Sequence, residues 1–234
     1  MARSSNSKLQ AARRARKGGS SSFALWLIGG SILIVAIAVG LILLNNRTPS
    51  TSIAAPDVPA TWVDRTNLGN PEAKVTLQAW EDFLCPHCAR WNSEIQTQLF
   101  ADYIKPGKVR LEFHQFPLTS HEPGASMSAL SSECAADQNA FWPYHDKLFA
   151  AQAQDQAGYT MEKLTQYATD LHLDVKKFTQ CMNSLQHQTA VTASLNQAIA
   201  LGLNSTPSVL INGKKMAEPF TYAALKTEID TLLK

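Results

Sequence analysis

At residues 80–88 the sequence reads Trp80-Glu81-Asp82-Phe83-Leu84-Cys85-Pro86-His87-Cys88, which ends in a Cys-x-x-Cys motif. The largely apolar residues 75–80 at its start predict a buried strand. Pro86 suits the first position of a helix, because its φ is fixed and its missing N–H is not needed there. The sequence therefore predicts a strand that leads directly into a helix, with Cys85 at the exposed end of the helix N-terminus.

Two cysteines separated by two residues serve either redox exchange or metal binding. At a helix N-terminus the unpaired N–H groups and the helix dipole stabilise a thiolate, and a protonated His87 would add to this effect. We therefore expect a lowered pKa for Cys85 and a disulfide that readily accepts electrons from other thiols. Zinc would need two further ligands at suitable spacing, and Ala89 stands where haem attachment requires a histidine, so no metal is expected.

The first 44 residues predict a membrane anchor. Residues 1–22 carry six basic residues and no acidic one, and residues 23–44 carry no charge. This apolar run is long enough to cross a bilayer as a helix, and the basic flank before it predicts a cytoplasmic N-terminus. We expect a single-pass membrane protein with an extracytoplasmic domain, and no nucleic-acid binding. A signal peptide cleaved near residues 52–55 is the alternative.

Composition and periodicity predict one domain beyond this anchor. Residues 45–60 are rich in Ser, Thr, Pro and Ala and predict an extended linker. In the domain, residues 61–234, a strand at 109–114 follows the first helix, and a crossover of this length favours a parallel strand pair. The helical pattern of residues 122–202 predicts an inserted helical subdomain. A strand at residues 208–211, a hairpin turn and a final helix complete the pattern.

The two remaining cysteines, Cys134 and Cys181, lie on predicted helices of this insert. An extracytoplasmic location permits disulfides, so we expect a structural bridge between them. Closing a loop of this length would stabilise the domain by about 4 kcal/mol on the chain-entropy estimate. Two buried free thiols, or a second redox pair, are the alternatives.

The order of these features resembles the disulfide oxidoreductase A (DsbA) family of thioredoxin-like proteins, in particular its membrane-anchored bacterial branch. The resemblance covers about residues 62–234. The motifs that carry it are Gly69-Asn70-Pro71, Glu81-Asp82-Phe83-Leu84-Cys85-Pro86-His87-Cys88, Glu133-Cys134-Ala135-Ala136-Asp137-Gln138, Phe141-Trp142-Pro143-Tyr144-His145 and Thr206-Pro207-Ser208-Val209-Leu210-Ile211-Asn212-Gly213.

The resemblance implies a thioredoxin-like α/β fold and a protein dithiol oxidase that uses no cofactor. Pro207 would follow a cis peptide bond and present the Thr206 backbone beside Cys85, where an extended substrate could pair with it. A substrate thiolate would attack Cys85, and Cys88 would close the resting disulfide. The implied catalytic residues are Cys85, Pro86, His87 and Cys88, and the implied substrate-binding residues are Thr206 and Pro207.

The expected function is the introduction of disulfides into reduced exported proteins. The resemblance points to re-oxidation by a quinone-linked membrane oxidase of the DsbB or vitamin K epoxide reductase type. A reductase or isomerase of the same fold, or a non-catalytic binding or chaperone module, are the alternatives. No dimerisation domain is recognisable, which favours a monomer. Glu81 and Asp82 are expected to be solvated or structural, and the histidines other than His87 to lie at the surface or in helix packing.

Overall fold

The computed structural model describes residues 56–217 and 219–234, without the side chains of residues 153–156. The expected basic tail, the expected membrane helix at residues 23–44 and most of the expected linker lie outside the described residues. Among the residues that are described, no helix is both long and apolar enough to cross a membrane.

From β3 onward the described strands and helices follow the predicted order, and two short strands that were not predicted, β1 and β2, precede them. The strands are β1 (Val63–Asp64), β2 (Asn67–Leu68), β3 (Val75–Glu81), β4 (Val109–Gln115), β5 (Ser208–Ile211) and β6 (Lys214–Lys215). The α-helices are α1 (Pro86–Trp91), α2 (Thr97–Leu99), α3 (Gly124–Ala136), α4 (Phe141–Ala150), α5 (Met161–Asp170), α6 (Val175–Asn183), α7 (Gln188–Ala200) and α8 (Tyr222–Leu232). Short 3₁₀-helices span Ala60–Trp62, Thr119–His121 and Ala151–Tyr159.

The six strands form one sheet in the order β1-β2-β4-β3-β5-β6. The parallel pairing of β3 with β4 confirms the crossover predicted from the sequence. Strand β5 runs antiparallel to β3, and Trp80 lies opposite Ser208 in their register. The last residues of β3 and the chain just before β5 therefore meet at the same end of the sheet.

Helix α1 begins at Pro86 and continues through π-helical turns at Asn92–Gln96 and Phe100–Ile104, with α2 between them. Its buried face carries Cys88, Trp91, Ile95 and Leu99, at spacings of three and four residues, and these side chains belong to the main hydrophobic core. The face that holds Cys88 is therefore fixed by apolar packing.

The helical insert lies between β4 and β5 and contains α3 to α7. Helix α5 is capped by Thr160, whose side chain accepts a hydrogen bond from the Lys163 N–H, and α6 is capped by Asp174 in the same way. Helices α3 and α6 are joined by a disulfide between Cys134 and Cys181, whose Cα atoms are 5.9 Å apart.

Candidate active site

Cys85 is the N-cap residue of α1, directly after the loop that follows β3. Its N–H donates to the Asp82 carbonyl (3.0 Å), and its own carbonyl accepts from the Ala89 N–H (3.1 Å). The thiol is less accessible than expected, because only 4% of Cys85 is exposed. The loop before β5 packs against it, and the Cys85 Sγ lies 3.3 Å from the Thr206 carbonyl oxygen.

This environment lowers the pKa of the Cys85 thiol to about 5. The largest cause is a hydrogen bond from the Cys88 thiol, which outweighs the opposing effect of burial. Further hydrogen bonds come from Thr206 and from the backbone N–H groups of Cys88 and His87. A helix N-terminus thus stabilises the thiolate as the sequence suggests, with His87 contributing through its backbone.

The His87 imidazole, to which the sequence assigned part of this effect, faces outward. Both Pro86 and His87 are exposed. The imidazole makes an edge-to-face contact with Phe220, with ring centroids 6.3 Å apart. The exposed rim of the site therefore carries an imidazole beside an aromatic ring.

Cys88 lies on the inner side of the pair and is fully buried. Burial raises the pKa of its thiol well above the ordinary value, and its hydrogen bond to Cys85 and the nearby Glu81 carboxylate act in the same direction. The two thiols therefore differ in kind: Cys85 is the thiolate and Cys88 retains its proton.

The two acidic residues before the motif have different surroundings. Asp82 is buried and anchors the loop, since its carboxylate accepts hydrogen bonds from the N–H groups of Leu84 (2.7 Å) and Leu118 (2.8 Å). His121 Nδ1 lies 2.9 Å from the same carboxylate. Asp82 is thus a structural residue, as the sequence suggested, although it is not solvated.

Glu81 is the last residue of β3 and is 1% exposed. Neither of its carboxylate oxygens has a hydrogen-bond partner among the described residues. Burial raises the pKa of Glu81 well above its ordinary value, and the negative charge of Cys85 adds to this. Glu81 is therefore a buried acid with a raised pKa that interacts electrostatically with both thiols, and the sequence did not single it out. The only available signal was an acidic residue at the end of a buried strand.

The Thr206–Pro207 peptide bond is cis in the structure, and both residues are buried. Apart from the Cys85 sulfur, the buried Thr206 hydroxyl has no hydrogen-bond partner among the described residues, so it is available to donate to a Cys85 thiolate. The structure thus brings the Thr206 backbone to Cys85, and the bond before Pro207 is cis, as the resemblance implied. Cys134 and Cys181 lie in the helical insert and form their own disulfide.

Two residues of the helical insert also contact the loop before α1, and sequence reasoning missed both. The Gln152 amide donates to the carbonyl oxygens of Phe83 (2.7 Å) and Cys85 (3.0 Å). The Tyr159 hydroxyl lies 3.0 Å from the Phe83 carbonyl oxygen. Gln152 and Cys85 are 67 residues apart, so no local pattern could have connected them.

One group of potential metal ligands is found in the described residues, formed by Asp137, Cys181 and His187. The sulfur of Cys181 is held in a disulfide, so it is not a thiolate ligand. The Asp137 carboxylate already pairs with Arg65 (2.6 Å) and lies 2.7 Å from His187 Nε2. We assign no metal to this group.

Comparison with known proteins identifies the family. The thioredoxin family model matches residues 62–231. A probable disulfide bond formation protein D of Bacillus anthracis is 30% identical over 171 residues, which cover 72% of this chain and 78% of that protein. A crystal structure of oxidised BdbD from Bacillus subtilis superposes with a TM-score of 0.67 at 25% identity, covering 73% of this chain and 93% of that one.

A second kind of relative is much longer than this chain. The Na(+)/H(+) antiporter NhaA 3 of Salinispora tropica is 30% identical over 167 residues, which are 71% of this chain but only 24% of the antiporter. The chain thus spans about a quarter of such relatives. The family match and the disulfide bond formation proteins cover most of the described domain. The chain therefore belongs to the thioredoxin family and, within it, is a thiol:disulfide oxidoreductase of the DsbA type.

Proposed function

We propose that the protein introduces disulfides into exported proteins, using Cys85 and Cys88 as its redox pair. The observation that carries this proposal is the Cys85 thiol at the N-cap of α1, with a pKa of about 5. A stabilised thiolate is a good leaving group, and it favours the reduced form of the enzyme. The Cys85–Cys88 disulfide is therefore oxidising, and it passes to other proteins readily.

In the first step, a substrate thiolate attacks the Cys85 sulfur of the enzyme disulfide, which forms a mixed disulfide and releases Cys88. A second substrate thiolate then attacks the substrate sulfur of the mixed disulfide and expels Cys85 as a thiolate. The substrate loses two electrons and gains a disulfide, and the enzyme gains both electrons as a dithiol. The low pKa of Cys85 favours the second step.

The first step also needs a proton. The pKa of the Cys88 thiol is raised, so its thiolate is a poor leaving group unless it is protonated. Glu81 interacts electrostatically with both sulfurs, and its raised pKa means that its carboxyl group holds a proton more readily than an exposed glutamate does. In this proposal Glu81 supplies the proton to Cys88 during reduction and takes it back during re-oxidation.

The substrate is positioned by the loop before β5. The backbone of Thr206 lies against Cys85, just before β5, which pairs with β3 inside the sheet. An extended substrate segment pairs with this backbone while its cysteine reaches Cys85, in the manner of strand addition. The exposed His87 lies at the rim of the same site.

The proposed location is outside the cytoplasm, with residues 1–22 as a cytoplasmic tail, residues 23–44 as the membrane anchor and residues 45–60 as a linker. The charge and hydropathy of these residues support it, as does the Cys134–Cys181 disulfide, since disulfides persist in oxidising compartments. Re-oxidation then falls to a membrane oxidase of the DsbB or vitamin K epoxide reductase type. The protein acts as a monomer in this proposal.

The proposal is tested by the pH titration of thiolate absorbance and by redox equilibrium with glutathione. We expect the reduced protein to titrate near pH 5, and its potential to lie well above the value of about −270 mV that is typical of thioredoxin. A pKa close to the ordinary cysteine value of about 8.5, with a thioredoxin-like potential, would instead indicate a reductase.

The same pKa predicts how pH affects the stability of the reduced protein. The pKa of Cys85 is about 5 in the folded state, below the value of about 8.5 expected for an unfolded cysteine. The thiolate therefore stabilises the folded reduced form fully only at a pH above the pKa of Cys85 in the unfolded chain. This stabilisation decreases as the pH falls and is lost once the pH passes below about 5, the pKa of Cys85 in the folded state. The oxidised form, in which Cys85 does not titrate, serves as the control in parallel denaturation series.

Replacing Glu81 with Gln should slow substrate oxidation by about tenfold to a hundredfold. This effect lies at or below the lower end of the range of rate factors, about 10² to 10⁴, that a positioned acid or base contributes. The amide keeps the size of the carboxyl group but cannot exchange a proton with Cys88. Stopped-flow fluorescence with a reduced peptide measures the rate across pH. Glu94→Gln, which alters an exposed acid of the π-helical turn Asn92–Gln96 after α1, is the matched control. A Glu81→Gln variant with the wild-type rate and pH profile would remove Glu81 from the mechanism.

A further inference from the structure

The loop that carries Cys85 is held from outside by a side chain of the helical insert. Gln152 lies in the 3₁₀-helix after α4, and its Nε2 group donates to the carbonyl oxygens of Phe83 (2.7 Å) and Cys85 (3.0 Å). An amide NH₂ group has two hydrogens, so it can serve both carbonyls at once. Gln152 therefore links the two ends of the Phe83-Leu84-Cys85 segment.

A second side chain fixes the same carbonyl from the core. The Tyr159 hydroxyl lies 3.0 Å from the carbonyl oxygens of Phe83 and of Leu148, which is on α4. Tyr159 is 2% exposed, whereas Gln152 is half-buried. The Phe83 carbonyl is thus tied to the insert twice, and the Cys85 carbonyl once, through Gln152.

These contacts bear on the thiol because one of them is made to the backbone of Cys85 itself. Its N–H is held by the Asp82 carbonyl, and its carbonyl is shared between the Ala89 N–H and Gln152. A backbone carbonyl oxygen carries partial negative charge, and a bound N–H group offsets that charge. Where the carbonyl belongs to the cysteine itself, the bound donor favours the nearby thiolate.

We propose that Gln152 is a positioning residue for the redox reaction, which holds the Phe83 and Cys85 carbonyls so that the Cys85 sulfur faces Thr206. The helical insert then takes part in setting the redox equilibrium, in addition to enlarging the fold. The inference rests on the proposed role of Cys85 and adds a residue that no local motif contains. It predicts that removal of the Gln152 donors destabilises the reduced form relative to the disulfide form.

The test compares Gln152→Met, which has similar length and no donors, with Gln166→Met as the matched control. Gln166 is an exposed glutamine of the same insert, and its amide donates to the Asp170 side chain. We expect Gln152→Met to raise the pKa of the Cys85 thiol and to shift the equilibrium with glutathione toward the disulfide form by about threefold to tenfold, as loss of one hydrogen bond would. Gln166→Met should match the wild type in both measurements.

Thermal unfolding of each variant separates a loss of stability from a change at the thiol, since a purely structural role would lower the melting temperature and leave the redox equilibrium unchanged. Gln152→Glu provides a second variant, which keeps the size of the side chain, lacks donors and adds a negative charge. It should shift the equilibrium further in the same direction.

The wild-type titration alone decides the proposed function, and the difference between the wild type and the Gln152 variants decides the role of Gln152. Folded Gln152→Met and Gln152→Glu proteins with the wild-type thiol pKa and glutathione equilibrium would overturn the inference, even where the wild type titrates near pH 5.

Discussion

Replacing Cys85 with Ser is expected to reduce the oxidation of substrate thiols by on the order of 10³-fold or more. The serine hydroxyl cannot form the mixed disulfide, so the covalent pathway is lost completely. The measurement is the rate at which the oxidised protein forms disulfides in a reduced, unfolded substrate. Because Cys85 is 4% exposed and a hydroxyl group is smaller than a thiol, the variant should remain folded.

Cys88→Ser serves as the contrasting variant. It retains the Cys85 thiolate but cannot close the resting disulfide. When oxidised glutathione first converts Cys85 to a mixed disulfide with glutathione, a substrate thiolate can attack the Cys85 sulfur and release glutathione. The resulting mixed disulfide between Cys85 and the substrate should accumulate in Cys88→Ser, whereas Cys85→Ser cannot form it. Non-reducing electrophoresis after acid trapping distinguishes the two. Wild-type activity of Cys85→Ser in a cell-based test of exported-protein oxidation would instead indicate a binding or chaperone module with structural cysteines.

The second large effect concerns stability. Replacing both Cys134 and Cys181 with Ala should lower the free energy of unfolding by about 4 kcal/mol, because the bridge closes a loop of 47 residues in the unfolded chain. The bridge joins α3 to α6, so the loss should be largest in the helical insert. Urea denaturation monitored by circular dichroism gives the free energy, and hydrogen exchange shows where protection is lost.

The matched control is the double variant in which Cys85 and Cys88 are both replaced with Ala, since it also removes two cysteines. It should leave the protection of α3 and α6 unchanged. A loss below about 1 kcal/mol in the Cys134 and Cys181 variant would show that the insert is held by its packing alone. Unchanged redox equilibrium at Cys85 in that variant would separate the bridge from the active pair.

The parts of the fold that were predicted from the sequence depend on local chemistry. An apolar run followed by a cysteine and Pro86 predicts a strand that enters a helix, and β3 and α1 follow that pattern. The crossover length indicated the parallel pairing of β3 and β4. Asn212-Gly213 predicted the turn between β5 and β6, where both residues have positive φ.

The parts that could not be predicted depend on what the fold brings together. The burial of Glu81 results from packing around the end of β3, whereas in sequence it is one of two adjacent acids. Gln152 is 67 residues from Cys85 in sequence and contacts it through a hydrogen bond to its backbone carbonyl. Neither composition nor periodicity indicates such a bond. The low accessibility of Cys85 likewise follows from the loop at Thr206, which is distant in sequence.

The ends of the sheet have a consequence for the proposed function, in which the substrates are unfolded exported chains. Its edge strands, β1 and β6, are only two residues long, and β6 consists of exposed Lys214 and Lys215. Short, charged edge strands offer few unpaired backbone groups with which an aggregation-prone polypeptide could pair to form an intermolecular sheet. In the proposed function, the edges of the sheet would therefore offer unfolded substrate chains little template for aggregation.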